Sequence, residues 1–576
     1  MEAHTAAFTP MQRFWRLLKP DQKEIVNIYV LAVFSGLINL SLPLGIQAII
    51  NLIQGGRMST SLVVLVAFVI SGVAFTGILQ IFQLRIAENL QQKIFTRAAF
   101  EFTFRLPRVK AEALYRHYAP ELMNRFFDTV SIQKGLSKIL IDFSTALLRG
   151  VFGLILLSFY HPFFIAFSIG LALLAYMIFA LTFRGGMRTS LSESAQKYQV
   201  AHWLEELART IFTFKMAPDS SLPLNRTNEY TEKYLQNRES HFKVLLRQFS
   251  FMVVFKVLVA AGLLIIGSLL VMDQQMNIGQ FVAAEIIILL VMNSVEKLIV
   301  AMETIYDVLT SLEKVGQVTD LELEESEGLE ISELQKKEGM SISVDRCDFA
   351  YPLNARNTLD NISFDVKIGE RVIITGPGES GKSTLLKLLA GIYESQRGSI
   401  AYDNLVKGSL DINNLRASIG SYFSDDDIFE GTVTENISMG RKGVSFDDVQ
   451  WACNGLGLNS FIRQLPFGFN TMLDPEGRKL PKSIVQKILL ARSIAHRPRL
   501  LLLKNPFRYL SNSESDELST FLSDRANAWT LIIAANDYQF AKKCDRVIYL
   551  KEGTVEATGS FEDLQDLLNN NSEDNA

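Results

Sequence analysis

Six apolar runs, each near or above the ~20 residues that a helix needs to cross a hydrocarbon layer, occupy the first part of this chain. They are Ile25–Ile53, Leu62–Leu84, Ile139–Tyr160, Phe163–Phe183, Phe249–Met272 and Ile278–Met302. Lipid offers no hydrogen-bond partners to a backbone, so runs of this length point to membrane-spanning helices. Hydrophobic residues make up 48% of the chain and charged residues only 20%, a balance tilted the same way.

The gaps between runs orient them. Gln54–Ser61, His161-Pro162 and Asp273–Asn277 are short and together carry only Arg57. Arg85–Lys138 and Arg184–Gln248 are long, and each carries about ten Lys plus Arg. Positive charge collects on the cytoplasmic side, so the long loops and both termini are expected there. Within the long loops, Ala87–Phe104 and Leu191–Phe214 keep apolar residues at helical spacing, which predicts helices continuing below the membrane. Their turns, near Tyr115–Pro120 and Ile211–Ala217, are expected to touch a cytoplasmic domain. Arg149 and Glu285 fall toward the middle of their spans, where an ionised group costs several kcal/mol unless it faces water or a partner. A structural Arg–Glu pair and a cavity-lining contact both fit. Lys256 and Asp142 lie nearer the inner ends and are expected to reach the headgroups.

Other features bound the rest. The polar stretch before Ile25 and the length of the run after it predict no cleavable signal. Cys347, Cys453 and Cys544 match neither a metal motif nor a disulfide framework, as suits a reducing compartment. A net charge of −4 gives no sign of a nucleic-acid partner. The acidic run Asp320–Glu327 reads as a solvated linker without chemistry of its own.

The second half is built around Gly376-Pro377-Gly378-Glu379-Ser380-Gly381-Lys382-Ser383-Thr384. An apolar run, Arg371–Thr375, precedes it and Leu385–Ala390 follows: strand, glycine-rich turn, helix. Glycines let successive N–H groups turn inward onto phosphate oxygens, and the helix adds the positive end of its dipole. Lys382 is placed to reach the outer phosphates and Ser383 to offer its hydroxyl to a magnesium ion. The surrounding pattern alternates strand and helix, as in an α/β domain. The expected organisation is therefore multidomain. An N-terminal segment (1–24) precedes an all-α six-helix transmembrane domain (25–316). An acidic linker (317–339), an α/β P-loop nucleotide-binding domain (340–568) and a polar tail (569–576) follow.

In its order of motifs, from about Phe14 to Leu568, the chain resembles ATP-binding cassette (ABC) exporters of the half-transporter type. Leu42-Pro43-Leu44-Gly45-Ile46-Gln47 resembles type I secretion and peptide-exporting members, without room for a peptidase domain ahead of it. The resemblance implies that Tyr351, ahead of the phosphate loop, stacks on adenine, and that ATP is the ligand of Gly376–Thr384. It also implies a multi-pass protein of the bacterial inner (plasma) membrane with a cytoplasmic nucleotide-binding domain.

The framework of that family persists while its chemistry does not. Ser424 stands where the family has a glutamine that senses the γ-phosphate, and is too short for that role. Leu480-Pro481-Lys482-Ser483-Ile484 replaces the Leu-Ser-Gly-Gly-Gln signature; Pro481 lacks a backbone donor, and two glycine positions carry side chains. Lys504-Asn505-Pro506 replaces Asp-Glu-Pro. Lys504 puts a cation where magnesium belongs, which would repel it, and Asn505 cannot take a proton at any useful pH. Asn536 replaces a histidine that touches the γ-phosphate. Five departures together predict an ATP-binding domain that hydrolyses little or no ATP. The family pairs two cassettes, so the expected partner is a second, competent exporter chain or another copy. A non-transporting ATP-sensing scaffold and an active homodimer with unusual chemistry remain alternatives. Nothing in the sequence names a transported substrate.

Overall fold

The computed structural model describes residues 8–54, 60–115, 117–325, 328–329, 338–352, 354, 356–423 and 427–567. The chain divides into two compact units, Met1–Pro107 with His117–Leu321, and Arg108–Arg116 with Glu322–Ala576.

Among the described residues, six helical segments are long and apolar enough to cross a membrane: Pro10–Gln54, Thr60–Arg108, Ala119–Ser158, Pro162–Arg209, Leu222–Met272 and Ile278–Thr319. The unbroken helices Thr60–Arg105, Pro162–Arg209 and Ile278–Thr319 have 46, 48 and 42 residues. At ~1.5 Å per residue each runs for about 60–70 Å, twice the thickness of a hydrocarbon layer. Half of each helix therefore lies beyond the apolar stretch that defines its span. The first span is two helices, Gln22–Asn39 and Ser41–Gln54. Pro43 sits in the first turn of the second, where a missing N–H costs little. Val63, Phe68 and Ile81 stay exposed, as suits a surface whose solvent is lipid.

Polar groups inside the first unit are paired helix to helix. Gln248 Nε2 donates to Thr182 Oγ1 at 2.9 Å and to Tyr306 Oη at 2.8 Å, all three buried. Gly186 lies against the same tyrosine, and a Cβ there would come 2.2 Å from Tyr306 Cζ. Lys256 does not reach for headgroups as expected, because its Nζ is 2.6 Å from Glu296 Oε2 on the neighbouring helix. A partner within reach is a better solution for an ammonium than a long path to water. Among the described residues no ion pair joins Arg149 to Glu285; Glu285 is exposed and Arg149 Nε is buried without a hydrogen-bond partner.

Among the described residues the second unit holds twelve strands. They are β1 (Ile342–Phe349), β2 (Leu359–Val366), β3 (Arg371–Thr375), β4 (Arg397–Tyr402), β5 (Leu405–Val406), β6 (Ile419–Tyr422), β7 (Gly431–Thr432), β8 (Met472–Leu473), β9 (Leu500–Lys504), β10 (Thr530–Ala534), β11 (Arg546–Lys551) and β12 (Thr554–Gly559). A four-stranded sheet runs β2-β1-β4-β5 and a six-stranded sheet β12-β11-β3-β10-β9-β6. In the larger sheet β11, β3, β10, β9 and β6 pair in parallel and β12 closes one edge antiparallel. A parallel sheet is covered on both faces, which is why its strands are continuous apolar runs rather than alternating ones. Ile373, Leu501, Leu503, Leu531 and Ile533 pack into one core, and Val372, Ile374, Leu500, Leu502 and Ile532 into the core on the other face.

Two glutamates of the acidic run have basic partners, while Glu322 and Glu325 stay exposed. Glu324 meets Arg416 with two contacts of 2.5 and 2.7 Å, and Glu322 meets Lys110 at 2.5 Å. Backbone bonds from Lys110 N to Glu322 O (2.9 Å) and from Glu324 N to Arg108 O (2.7 Å) lock the run to the segment Arg108–Arg116. Distant basic residues, invisible to local pattern, supply the partners.

One buried cation organises the start of β3. Arg371, 1% exposed, donates to the carbonyl oxygens of Gly369, Trp529, Asp524 and Asn527. Arg371→Met would leave these acceptors without their donor, at a cost of about 1–3 kcal/mol for each carbonyl left buried and unsatisfied. The expected result is a markedly lower thermal midpoint for the cassette, read by differential scanning fluorimetry on the solubilised chain.

Candidate nucleotide-binding site

Three strand ends converge at the carboxyl edge of the six-stranded sheet. β10 pairs with β3 and with β9 in register, Ala534 opposite Ile374 on one side and Lys504 on the other. The phosphate loop therefore leaves β3 two strands, ~10 Å, from the end of β9. Asn536 follows the strand between them.

The loop's shape depends on two of its glycines. Gly376 has φ +148°, and a Cβ there would lie 2.0 Å from the carbonyl oxygen of Leu550. Gly381 has φ +94°, with Leu359 Cδ2 2.7 Å from its would-be Cβ. Gly378 meets nothing within 4 Å, so its side-chain absence is not required by packing. From Gly381 the helix Lys382–Leu389 begins. Lys382 folds back over its own loop, Nζ donating to Gly376 O (2.7 Å), Pro377 O (2.6 Å) and Ser380 Oγ (3.0 Å). Burial and the charge of Lys504 push its pKa down to about 8.

A cavity of about 1090 Å³ opens over this loop, lined by Gly378–Thr384 and by Tyr351, Arg356, Asn505, Asn536 and Glu552. Tyr351 is in place beside the loop, its hydroxyl 3.0 Å from Thr384 Oγ1. Its ring stacks on Tyr115, with centroids 5.8 Å apart and planes at 24°, so one face already has an aromatic neighbour from the segment Arg108–Arg116. Asn536 turns toward the root of the loop: its Oδ1 accepts from Thr375 Oγ1 (3.0 Å) and Gly376 N (3.3 Å). Asn505 has φ +45° and its N–H donates to Ala534 O at 2.9 Å. Ser424 lies outside the described residues.

Pro481 caps the helix Lys482–Ile494 without a side-chain hydrogen bond, and Pro481 and Lys482 are exposed. Sequence reasoning missed Gln486 on this helix. Buried, its Nε2 donates to Asn505 O (3.3 Å) and Pro506 O (2.5 Å), and its Oε1 accepts from Tyr509 N (3.2 Å). It thereby fixes the turn that carries Asn505. A buried glutamine beside a helix start was the available signal, but its partners are distant in sequence. Arg356 and Glu552 were missed for the same reason.

Two family matches decide what this arrangement belongs to. Residues 25–295 match the ABC transporter transmembrane region and residues 359–508 match the ABC transporter family. The chain belongs to the ABC transporters, with a transmembrane region and a cassette in one chain. Cyclolysin secretion/processing ATP-binding protein CyaB of Bordetella pertussis is 31% identical over 307 residues, which is 53% of this chain and 43% of that protein. The uncharacterized ABC transporter ATP-binding protein YwjA of Bacillus subtilis is 24% identical, over 58% of each chain. The ATP-dependent lipid A-core flippase of Dechloromonas aromatica is 28% identical, over 51% of this chain and 50% of that one. The chain spans about half the length of the curated relatives it matches. In fold it is similar to a bacterial Atm1-family ABC exporter solved with ATP bound, with a TM-score of 0.81, 20% identity, and coverage of 95% of this chain and 96% of that one.

The phosphate loop of this ABC transporter fits a nucleotide, on whose phosphates a magnesium ion would find most of its oxygen ligands. Ser383 offers a hydroxyl, yet among the described residues no group of three His, Cys, Asp or Glu converges anywhere. Magnesium needs near-octahedral oxygen ligation.

Because phosphate favours charged Lys382, nucleotide binding raises the pKa of a group that otherwise titrates at about 8. Affinity is then full below about pH 8 and falls as pH rises past it. Between pH 7 and pH 9 a fluorescent ATP analogue should bind about tenfold more weakly, and Lys382→Ala should abolish the pH dependence along with most of the binding.

Proposed function

We propose that this ABC transporter holds ATP without appreciable hydrolysis and takes part in export across a membrane together with a catalytically competent second half-transporter. The observation that carries this reading is the contrast at the sheet edge. An intact phosphate loop, with Lys382 and two sterically required glycines, shares its cavity with Asn505 and Asn536, and Lys504 ends the strand two positions away in the sheet.

ATP would lie with its phosphates against the loop amides and Lys382, and its base toward Tyr351. Hydrolysis needs a group that draws a proton from the attacking water, and an amide does not supply one. Asn536 Oδ1, engaged by Thr375 and Gly376 N, is committed to holding the loop. The altered stretch at Pro481–Ser483 removes a backbone donor and adds side chains where a neighbouring cassette's nucleotide would approach. A pair of identical chains would therefore lack both the signature and the catalytic groups at each of its sites, which favours a different partner. Secretion in the name of one relative and flipping in that of another support outward transport. We place the chain in the bacterial inner membrane on the same grounds.

Purified into lipid nanodiscs, the chain should bind ATP in a Lys382-dependent way and release phosphate at the rate of a protein-free control. Phosphate release that disappears in Lys382→Ala would overturn the reading. Tagged chain isolated from its native membrane should carry a second ABC chain with an Asp-Glu pair at the end of the corresponding strand. Recovery of identical copies alone would remove the partner.

A further inference from the structure

We propose that Tyr115 is a positioning residue of the nucleobase site: it backs Tyr351, so that the base of a bound nucleotide and the docked segment Arg108–Arg116 hold each other in place. The inference rests on the nucleotide-holding reading above and goes beyond it in naming what occupancy of that site controls. It makes the base, and not the outer phosphate, the part of the ligand to which the segment responds.

The Tyr351 ring is held by four contacts. Its hydroxyl lies 3.0 Å from Thr384 Oγ1, in the first turn of the helix Lys382–Leu389. Phe349 and Tyr393 meet the ring nearly at right angles, with centroids 5.1 and 5.5 Å away and planes at 82° and 86°. Tyr115 lies nearly parallel to it, 5.8 Å away at 24°. Tyr351 lines the cavity over the phosphate loop, and none of the other three rings does so. What Tyr351 offers the cavity is therefore the surface that they leave uncovered. A base stacking there would complete a run of three rings: base, Tyr351 and Tyr115. Aromatic rings favour such offset stacks, and every base has a π-face to add to one.

The segment that carries Tyr115 is fixed to the cassette by backbone and charge. Val109 forms an antiparallel bridge with Leu323, Lys110 pairs with Glu322, and Glu112 Oε1 accepts from the backbone N–H of Glu394 at 3.2 Å. Glu394 follows Tyr393 in the chain, so the segment meets the ring cluster at two neighbouring places. Tyr115 is 46% exposed, and among the described residues no hydrogen bond engages its hydroxyl. Stacking is thus the interaction that this side chain offers, and it is made on a residue of the nucleotide cavity. A base that favours the stacked arrangement is favoured by the docked segment in the same measure, because coupling between two binding events is reciprocal. The base lies at the end of a nucleotide remote from its outer phosphate. ATP and ADP therefore present the same group to the stack, and tripolyphosphate presents none.

The test is hydrogen exchange over residues 108–116 of the full-length chain in nanodiscs. ATP, ADP or tripolyphosphate is added at concentrations that displace a fluorescent ATP analogue. ATP and ADP should each slow exchange by about fivefold, and tripolyphosphate should leave it unchanged. Tyr115→Ala should remove the slowing and weaken ATP and ADP by about fivefold while tripolyphosphate competes as before. Tyr115→Phe, which keeps the ring, should behave as wild type. Slowing by ATP but not by ADP, slowing by tripolyphosphate as well, or no slowing by any of the three would overturn this inference and leave the nucleotide-holding reading standing. So would a Tyr115→Ala chain that binds ATP as tightly as wild type, or one that loses tripolyphosphate in the same proportion as ATP. Failure of the wild type to bind ATP would overturn both. The wild-type comparison of three ligands needs no variant, so a misfolded substitution cannot decide the outcome.

Discussion

Parallel pairing of β3 between β11 and β10 is the constraint on which the cassette depends. Every residue of β3 and β10 is buried, so the strands have no freedom to slip without exposing one core and crowding the other. That fixed register brings the ends of β3, β10 and β9 to one edge. The phosphate loop, Asn536 and Lys504 meet because their strands do. Arg371 secures the opposite end of β3 by donating to carbonyls of the loop before β10.

Within that frame, electrostatics separates holding a nucleotide from cleaving one. Loop amides, a helix start and Lys382 gather positive potential as any phosphate site requires. Lys504 adds to it where catalysis would need a carboxylate and its metal. The asparagines keep hydrogen-bonding geometry without proton chemistry: Asn536 braces the loop, and Asn505 sits on a turn that Gln486 holds in place.

The membrane unit obeys a different solvent. Its helices hide polar groups against one another, as Gln248, Thr182 and Tyr306 do, or pair charge with charge, as Lys256 and Glu296 do. The pairing of Lys256 could not be read from the chain, since its partner lies forty positions away on another helix. Nor could the fate of the acidic run, two of whose glutamates are claimed by Arg416 and Lys110.

Local sequence determined the elements of this protein. Apolar length in lipid admits helices, and the spacing from Gly376 to Thr384 admits a phosphate loop. Asn505 and Asn536 offer no general base whatever the fold, because an amide side chain takes no proton at a useful pH. Tertiary structure alone decided what each group does instead. It turned Asn536 onto the loop root, set Tyr351 against Tyr115, and brought Lys504 near enough to depress the pKa of Lys382. Those outcomes depend on distances between residues far apart in the chain, and such distances are set by strand register and packing rather than by any local pattern.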